Sequence, residues 1–225
     1  MKNFRLWAII LLLCASSISV AAIRIVCTVA LIPYDYETRK LQYIRTLKKL
    51  REFGYEPYVV ESCASGPTFL DDYCDHVCYT HNNNSSITNK GVNEGISLMI
   101  GFQHFNFDPD DMIIKLTGRY CLETDEFIRL VEQNPSADAI VKSWLADNIY
   151  TGVFAMRLKY LSEALSNINF EEMIKKSISF ETQCGLQILK MHNNGAKIIY
   201  LEELYDYLPV CTPWYIRNFG YWEWA

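Results

Sequence analysis

Apolar residues along this chain alternate between short unbroken runs and helical spacing, a pattern that predicts strands alternating with helices. Residues 23–31 are β-branched and apolar, which is typical of a central strand. Residues 36–53 show helical spacing and end at Gly54, so we expect an amphipathic helix there. We expect its buried face to consist of Leu41, Ile44, Leu47 and Leu50. Residues 57–60 predict a second strand, which together with the first strand and the helix favours a parallel βαβ unit.

The same alternation continues to the end of the chain. A strand is predicted at residues 76–79. A helix over 92–102 is followed by a turn at 108–111 and by a strand from Met112. Further helices are predicted at 123–134, 158–168 and, as one or two, within 170–191; further strands are predicted at 139–141, 150–156 and 196–201. We expect the aromatic tail, residues 205–224, to pack over the sheet.

This order of elements predicts the α/β class, with a mixed, mostly parallel sheet flanked by helices. The chain has 225 residues, half of them hydrophobic, which suits one large domain with a core of its own. No repeat or linker divides it, so we assign residues 23–225 to a single domain. The net charge of −5 does not suggest a nucleic-acid partner.

The first 22 residues predict a targeting segment. Lys2 and Arg5 precede the apolar residues 6–14, and small residues follow at the expected cleavage region. Residues 6–23 are also nearly long enough to act as an uncleaved signal-anchor. Both interpretations predict a secretory or cell-envelope location, either as a secreted chain or as one attached to the membrane. Within such a pathway, Asn83 and Asn84 begin two overlapping glycosylation sequons.

Seven cysteines follow the targeting segment, and an oxidising compartment would pair some of them. Cys63, Cys74 and Cys78 share one irregular region and are the best candidates for a disulfide, with buried inert thiols as the alternative. A metal site at Cys74, His76 and Cys78 is disfavoured because no second ligand pair has zinc-finger spacing.

Polar residues cluster where the strand that begins at Met112 ends. They are Lys115, Thr117, Gly118, Arg119 and Tyr120. In open α/β sheets, ligands bind just outside the carboxyl ends of the strands. Cations, a hydroxyl and a glycine at such a place suit a phosphorylated or polyhydroxylated ligand. The alternative is a strand that simply leaves the core with its cations solvated.

Two motifs carry a resemblance to a known group. Residues 89–94 read Asn-Lys-Gly-Val-Asn-Glu, and residues 115–120 read Lys-Leu-Thr-Gly-Arg-Tyr. With the order of elements over residues 23–204, they resemble glycosyltransferase-like proteins of the GT-A fold, a nucleotide-sugar-binding α/β domain. The resemblance implies transfer of a sugar from a nucleotide-sugar donor to a glycan, a lipid-linked acceptor or another hydroxyl.

The resemblance also implies positions for ligand contacts. Residues 28–33 would border the base, and Glu61 would lie near the base or ribose. Asn89, Lys90 and Asn93 would lie near the ribose or phosphates, and residues 151–154 would shape the acceptor side.

One departure from the pattern of this group concerns the metal. Residues 115–119, including Thr117 and Gly118, occupy the place where most such enzymes carry Asp-x-Asp. The string Asp108-Pro109-Asp110 precedes the strand and should lie at the opposite end of the sheet. Mn²⁺ or Mg²⁺ therefore lacks its usual carboxylates, and no metal-ligating residue is assigned.

Sugar transfer needs stabilisation of the departing diphosphate and, if it inverts the sugar carbon, a carboxylate to take the acceptor proton. Arg119 and Lys115 are the candidates for the first task, and Glu181 for the second. Glu181 stands beside a predicted helix start, so the alternative is a carboxylate that only stabilises the helix dipole.

Two other functions compete with glycosyl transfer. A nucleotidyltransferase usually has a glycine-rich basic loop after the first strand, whereas residues 28–33 here read Thr-Val-Ala-Leu-Ile-Pro. A secreted GT-A-like domain without catalysis, binding a glycan or a protein partner, is the alternative that the missing Asp-x-Asp favours.

Overall fold

The computed structural model describes residues 21–145, 148–201 and 210–211. Its helices are α1 (Tyr36–Glu52), α2 (Lys90–Phe105), α3 (Glu126–Gln133), α4 (Leu158–Ser166), α5 (Phe170–Lys176) and α6 (Phe180–Asn193), with 3₁₀ turns at Pro33–Asp35 and Phe69–Asp72. Its strands are β1 (Ile23–Val29), β2 (Pro57–Glu61), β3 (His76–Tyr79), β4 (Met112–Thr117), β5 (Cys121–Leu122), β6 (Ala139–Leu145), β7 (Asn148–Ile149), β8 (Val153–Arg157), β9 (Ile198–Leu201) and β10 (Val210–Cys211).

The main sheet has the strand order β3-β2-β1-β4-β8-β6-β7, and β9 pairs with β6. Strands β1 to β4 run parallel to one another, whereas β8 is antiparallel to both β4 and β6. The sheet is therefore mixed and has a parallel half, as the sequence predicts. Strand β3 coincides with its predicted range, and of the one or two helices expected within 170–191 the structure has two, α5 and α6.

Helices cover both faces of the sheet, because the central strands are apolar on both sides. Ile25 and Cys27 of β1 face a cluster that includes residues of α1 and α3. Val26, between them, faces the opposite cluster, which includes residues of α2, α4, α5 and α6. This alternation gives three layers, with the sheet in the middle.

The predicted buried face of α1 is partly wrong. Leu41 is 53% exposed, and the buried residues are Gln42, Tyr43, Thr46, Leu47 and Leu50. The Tyr43 ring packs in the core while its hydroxyl donates to the carbonyl of Ala30 at 3.1 Å. This contact ties α1 to the chain that leaves β1, and Leu41 lies on the exposed side of the helix.

The proposed disulfide region holds free thiols. Cys63, Cys74 and Cys78 are all unpaired, so the expectation of a disulfide among them is wrong in this structure. The Cys74 thiol instead donates to the carbonyls of Pro57 at 3.1 Å and His76 at 3.4 Å. The Cys63 sulfur accepts from the Asn83 amide at 3.1 Å.

Glycines bring the start of α2 close to α5 and α6. A Cβ added to Gly91 would lie 2.4 Å from the Cβ of Phe180, and one added to Gly95 would lie 2.7 Å from the Phe170 ring. Only glycine permits this close approach. The approach brings the amino-terminal turns of α2 and α6 together above the carboxyl end of the sheet.

Two predicted segments fall largely outside the described residues. The targeting segment 1–22 is described only from residue 21, and the aromatic tail 205–224 only at Val210–Cys211. That pair forms β10, which runs antiparallel to β5. Among the described helices, none combines the length and apolar character needed to cross a bilayer.

Candidate active site at the carboxyl end of the sheet

The exits of β1 and β4 form the centre of the candidate site. Thr28 and Thr117 are register partners in the parallel pair. Beyond them, the Gly118 amide donates to the carbonyl of Thr28 at 2.9 Å, and the Thr117 amide donates to the carbonyl of Gly152 at 2.7 Å. The predicted tip therefore meets both the first strand and the turn before β8.

Lys115 lies beneath this tip, where its side chain has 0% exposure. Its Nζ lies 2.6 Å from Glu94 Oε1, 2.9 Å from Thr117 Oγ1 and 2.6 Å from the Thr151 carbonyl oxygen. An ammonium group has three protons, and these three acceptors can take all of them. Because the side chain is fully buried, the solvated alternative for this lysine is wrong. A direct contact with a ligand would require Lys115 to give up one of these three hydrogen bonds.

Glu94 is the site residue that the sequence reasoning missed. It belongs to the motif at residues 89–94, from which the sequence resemblance predicts ligand contacts only for Asn89, Lys90 and Asn93. Its Oε1 also accepts from the Thr28 hydroxyl at 2.8 Å, and its side chain is 25% exposed. Burial alone would raise the pKa of this carboxyl, but Lys115, Thr28 and Arg119 outweigh burial and hold the pKa below its ordinary value.

Glu181 joins the same network from α6. Ser179 caps this helix by accepting from the Thr182 amide at 3.1 Å, which places Glu181 in the first turn. The Thr151 hydroxyl donates to Glu181 Oε1 at 2.9 Å, while the Thr151 carbonyl accepts from Lys115. Thr151 therefore bridges the predicted base and the buried ion pair.

The buried thiol of Cys184, one turn after Glu181, lies near the same charged groups. Burial raises its pKa, Lys115 lowers it, and Glu94 and Glu181 raise it further. All three charged groups therefore lie within electrostatic reach of one buried atom.

Arg119 is half-buried at the tip itself. Its charge acts on the Glu94 carboxyl and on the Tyr43 hydroxyl. Within the described part of the chain, no hydrogen bond engages its guanidinium group. Of the two predicted cations, Arg119 is therefore the one placed to meet a ligand.

Glu61 reaches the predicted strand end but is turned inward. It is fully buried, and its carboxylate accepts from the backbone amides of Leu31, Cys63 and Ala64. Burial raises its pKa in spite of these bonds. In this arrangement Glu61 joins the turns that follow β1 and β2.

The other predicted residues of the first motif also make contacts within the protein. Asn89 donates from Nδ2 to the carbonyls of Met173 at 3.2 Å and Ile178 at 2.7 Å. Asn93 donates to Asn83 Oδ1 at 3.0 Å, while its own buried Oδ1 has no hydrogen-bond partner in the described structure. Lys90 is exposed at the start of α2. Only Glu94 of this motif reaches the network below the tip.

Two aromatic rings border the tip on the side of β8. The rings of Tyr120 and Tyr150 are parallel within 6°, with centroids 6.1 Å apart. A Cβ on Gly152 would lie 2.3 Å from the Tyr120 ring and 2.6 Å from that of Tyr150. The absence of a side chain at Gly152 therefore allows both rings to take these positions.

Among its described residues, the tip does not offer a set of side chains that fits a divalent cation. Across the residues described, no three His, Cys, Asp or Glu side chains converge to hold an ion. Asp110 lies before β4 and pairs with Lys159 at 2.8 Å, at the opposite end of the strand from the tip. At the strand end itself, Arg119 is the cation that borders the tip, and its positive charge opposes a metal ion there.

Comparison with known proteins gives a fold-level match. No family model matches the chain, and neither does any curated protein sequence. Among solved structures, 4-diphosphocytidyl-2C-methyl-D-erythritol synthase matches with a TM-score of 0.50 and 13% identity, covering 86% of this chain and 95% of that one. The chain has a GT-A-like fold.

Two further solved structures have lower scores. A glycosyltransferase involved in the glycosylation of the major capsid of PBCV-1 has a TM-score of 0.47 and 10% identity, covering 79% of this chain and 82% of that one. Mouse xyloside xylosyltransferase 1 has a TM-score of 0.46 and 12% identity, covering 80% and 85%. Matches at these scores do not assign an activity to this chain.

Proposed function

We propose that this protein is a glycosyltransferase that moves a sugar from a nucleotide-sugar donor to a hydroxyl group of an acceptor. The observation that carries the proposal is the network at the carboxyl end of the sheet. It joins β1, α2, β4 and α6 through Thr28, Glu94, Lys115, Thr151 and Glu181. Such networks of buried charge are typical of functional sites, and this one lies where open α/β sheets bind ligands.

Arg119 supplies the positive charge for the donor diphosphate. During transfer, the bond between the sugar C1 and the diphosphate oxygen breaks, and negative charge develops on the leaving nucleoside diphosphate. A half-buried guanidinium stabilises that charge more strongly than it would in bulk water.

Glu181 acts on the acceptor. The acceptor oxygen forms the new bond to C1 and loses its proton, which Glu181 takes in an inverting transfer. Thr151 holds one carboxylate oxygen of Glu181 at 2.9 Å, which orients the other oxygen. Lys115 acts through Thr151 and Glu94 as a positioning residue.

The loop after β1 argues against nucleotidyl transfer by a phosphate-binding loop. Its amides are already engaged, since Ala30 donates to Tyr43 Oη, Leu31 to Glu61 Oε1 and Ile32 to the carbonyl of Ala30. A loop that cradles phosphates must present free amides.

Thermal unfolding of the purified protein tests the donor site. The panel contains nucleoside diphosphates and nucleotide sugars, each with and without Mn²⁺. A bound nucleotide raises the melting temperature of the native state. Arg119→Ala is expected to abolish the shift, whereas Arg129→Ala, on the exposed side of α3, is the matched control and should keep it. No shift with any nucleotide would contradict the proposal.

A turnover assay separates the enzyme from a domain that only binds. Release of nucleoside diphosphate from the best donor is measured with a panel of sugar and lipid-linked acceptors. Glu181→Gln is expected to keep donor binding and lose turnover. Donor binding by the wild type with no turnover on any acceptor would favour the non-catalytic, ligand-binding alternative.

A further inference from the structure

We infer that Glu94 contacts the ligand directly and accepts hydrogen bonds from hydroxyl groups of the nucleotide-sugar donor. This inference rests on the proposed function and adds a binding residue and a ligand group to it. It also changes the role expected for Lys115: this lysine is internal, and Glu94 is the residue that contacts the donor.

Exposure and hydrogen bonding distinguish the two residues. Lys115 is fully buried, and its three protons face Glu94, Thr117 and Thr151. Glu94 keeps a quarter of its side chain exposed. Both of its hydrogen-bonded contacts in the described structure use Oε1, so Oε2 remains available as an acceptor.

The residues around Glu94 determine which kind of ligand group its Oε2 can bind. Thr28 and Lys115 hold Oε1 from two strands, so the carboxylate is fixed in orientation before a ligand arrives. These contacts also hold its pKa below the ordinary value, and the group therefore stays ionised and accepts hydrogen bonds. An ionised carboxylate repels phosphate oxygens and attracts hydroxyl donors.

Arg119 lies within electrostatic reach of the same carboxylate. An anion-binding guanidinium beside a hydroxyl-binding carboxylate matches a molecule that carries both a diphosphate and sugar hydroxyls. The hydroxyls of a nucleotide sugar come from the ribose or from the transferred sugar. These two sources share one chemistry, and binding measurements distinguish them.

Calorimetric titration of wild type and Glu94→Gln provides the test. The ligands are inorganic pyrophosphate, the ribonucleoside diphosphates UDP, GDP, ADP and CDP, their 2′-deoxy forms, and UDP-glucose and GDP-mannose. Loss of a charged hydrogen bond is expected to weaken binding roughly tenfold to a hundredfold. Glu171→Gln, at an exposed position of α5, is the matched control and should bind as the wild type does.

If the hydroxyls belong to ribose, Glu94→Gln weakens the ribonucleoside diphosphates but not pyrophosphate. The 2′-deoxy forms are then unaffected where the contact is to the 2′-hydroxyl, and weakened where it is to the 3′-hydroxyl. If they belong to the transferred sugar, only the nucleotide sugars lose affinity. Unchanged affinity for every ligand, or an equal loss for pyrophosphate, would overturn the inference while leaving the donor site intact. Absence of nucleotide binding in the wild type would overturn both proposals.

A double variant tests the inference if Glu94→Gln alone does not fold. Glu94→Gln removes the charge that compensates the buried Lys115, so the double variant Glu94→Gln/Lys115→Met removes both charges together. The same selective loss of hydroxyl-bearing ligands is expected. Wild-type affinity in the folded double variant would also contradict the inference.

Discussion

Lys115 Nζ and Glu94 Oε1 lie 2.6 Å apart, and the two side chains differ sharply in exposure, at 0% and 25%. One partner of this ion pair is therefore part of the core, while the other borders the candidate site. Such a pair can hold a carboxylate in a fixed place without covering it.

This ion pair should dominate the stability of the site. Glu94→Ala leaves the Lys115 charge buried without its partner, and we expect a loss of about 3–5 kcal/mol in the free energy of unfolding. The double variant Glu94→Ala/Lys115→Met should lose less than the sum of the single variants, as measured by urea denaturation. Additive losses would show that the charges do not interact. Asp110→Ala, which breaks the surface pair with Lys159, should cause little change.

Stability should also fall at acidic pH because of Glu94. The folded state holds the pKa of this carboxyl below its ordinary value of 4.5. The stabilising contribution is therefore complete above that value and is lost as the pH falls through the lower, folded pKa. Urea midpoints measured from pH 6 to pH 3 should decline less steeply for Glu94→Gln than for the wild type. Parallel curves would contradict this linkage.

Gly152→Ala should disturb the tyrosine pair. The added Cβ would meet the Tyr120 ring at 2.3 Å, and overpacking of this kind costs about 1–3 kcal/mol. We expect a lower urea midpoint together with altered tyrosine fluorescence. Gly66→Ala is the control, because a Cβ there meets nothing within 4 Å, and it should leave both measurements unchanged.

If the chain passes through a glycosylating compartment, we expect only one of the two overlapping sequons to be glycosylated. Asn83 donates to Cys63 Sγ and accepts from Asn93, so its amide is engaged inside the protein. Asn84 is exposed, and its Oδ1 accepts from the Ser86 hydroxyl at 2.7 Å. We expect the glycan on Asn84.

Two serine variants distinguish which of the two sequons carries the glycan. Ser86→Ala removes only the Asn84 sequon and should abolish the glycosidase-sensitive mass. Ser85→Ala removes only the Asn83 sequon and should leave that mass in place. Glycosylation that survives Ser86→Ala would contradict the prediction.

The motif at residues 89–94 lies at the candidate site, but its polar residues differ in what they contact. Asn89 and Asn93 have the polar character of ligand-binding residues, yet both hold neighbouring loops through their amides. Glu94 has the same polar character and borders the site. Nothing in the spacing of these residues distinguishes a side chain that bonds a loop from one that faces a ligand.

Patterns in the sequence were enough to predict the class of fold, most of the strands and helices, and the strand end where polar groups gather. These features follow from local patterns, because a strand buried on both faces must be apolar and a surface helix must alternate at its own period. The folded arrangement of the chain was needed to show that Glu61 accepts from backbone amides. It was also needed to show that Lys115 is internal, and that Lys115 and Thr151 together link Glu94 to Glu181. Those contacts link residues distant in the chain, and their geometry depends on how the helices pack on the sheet, which no local pattern encodes.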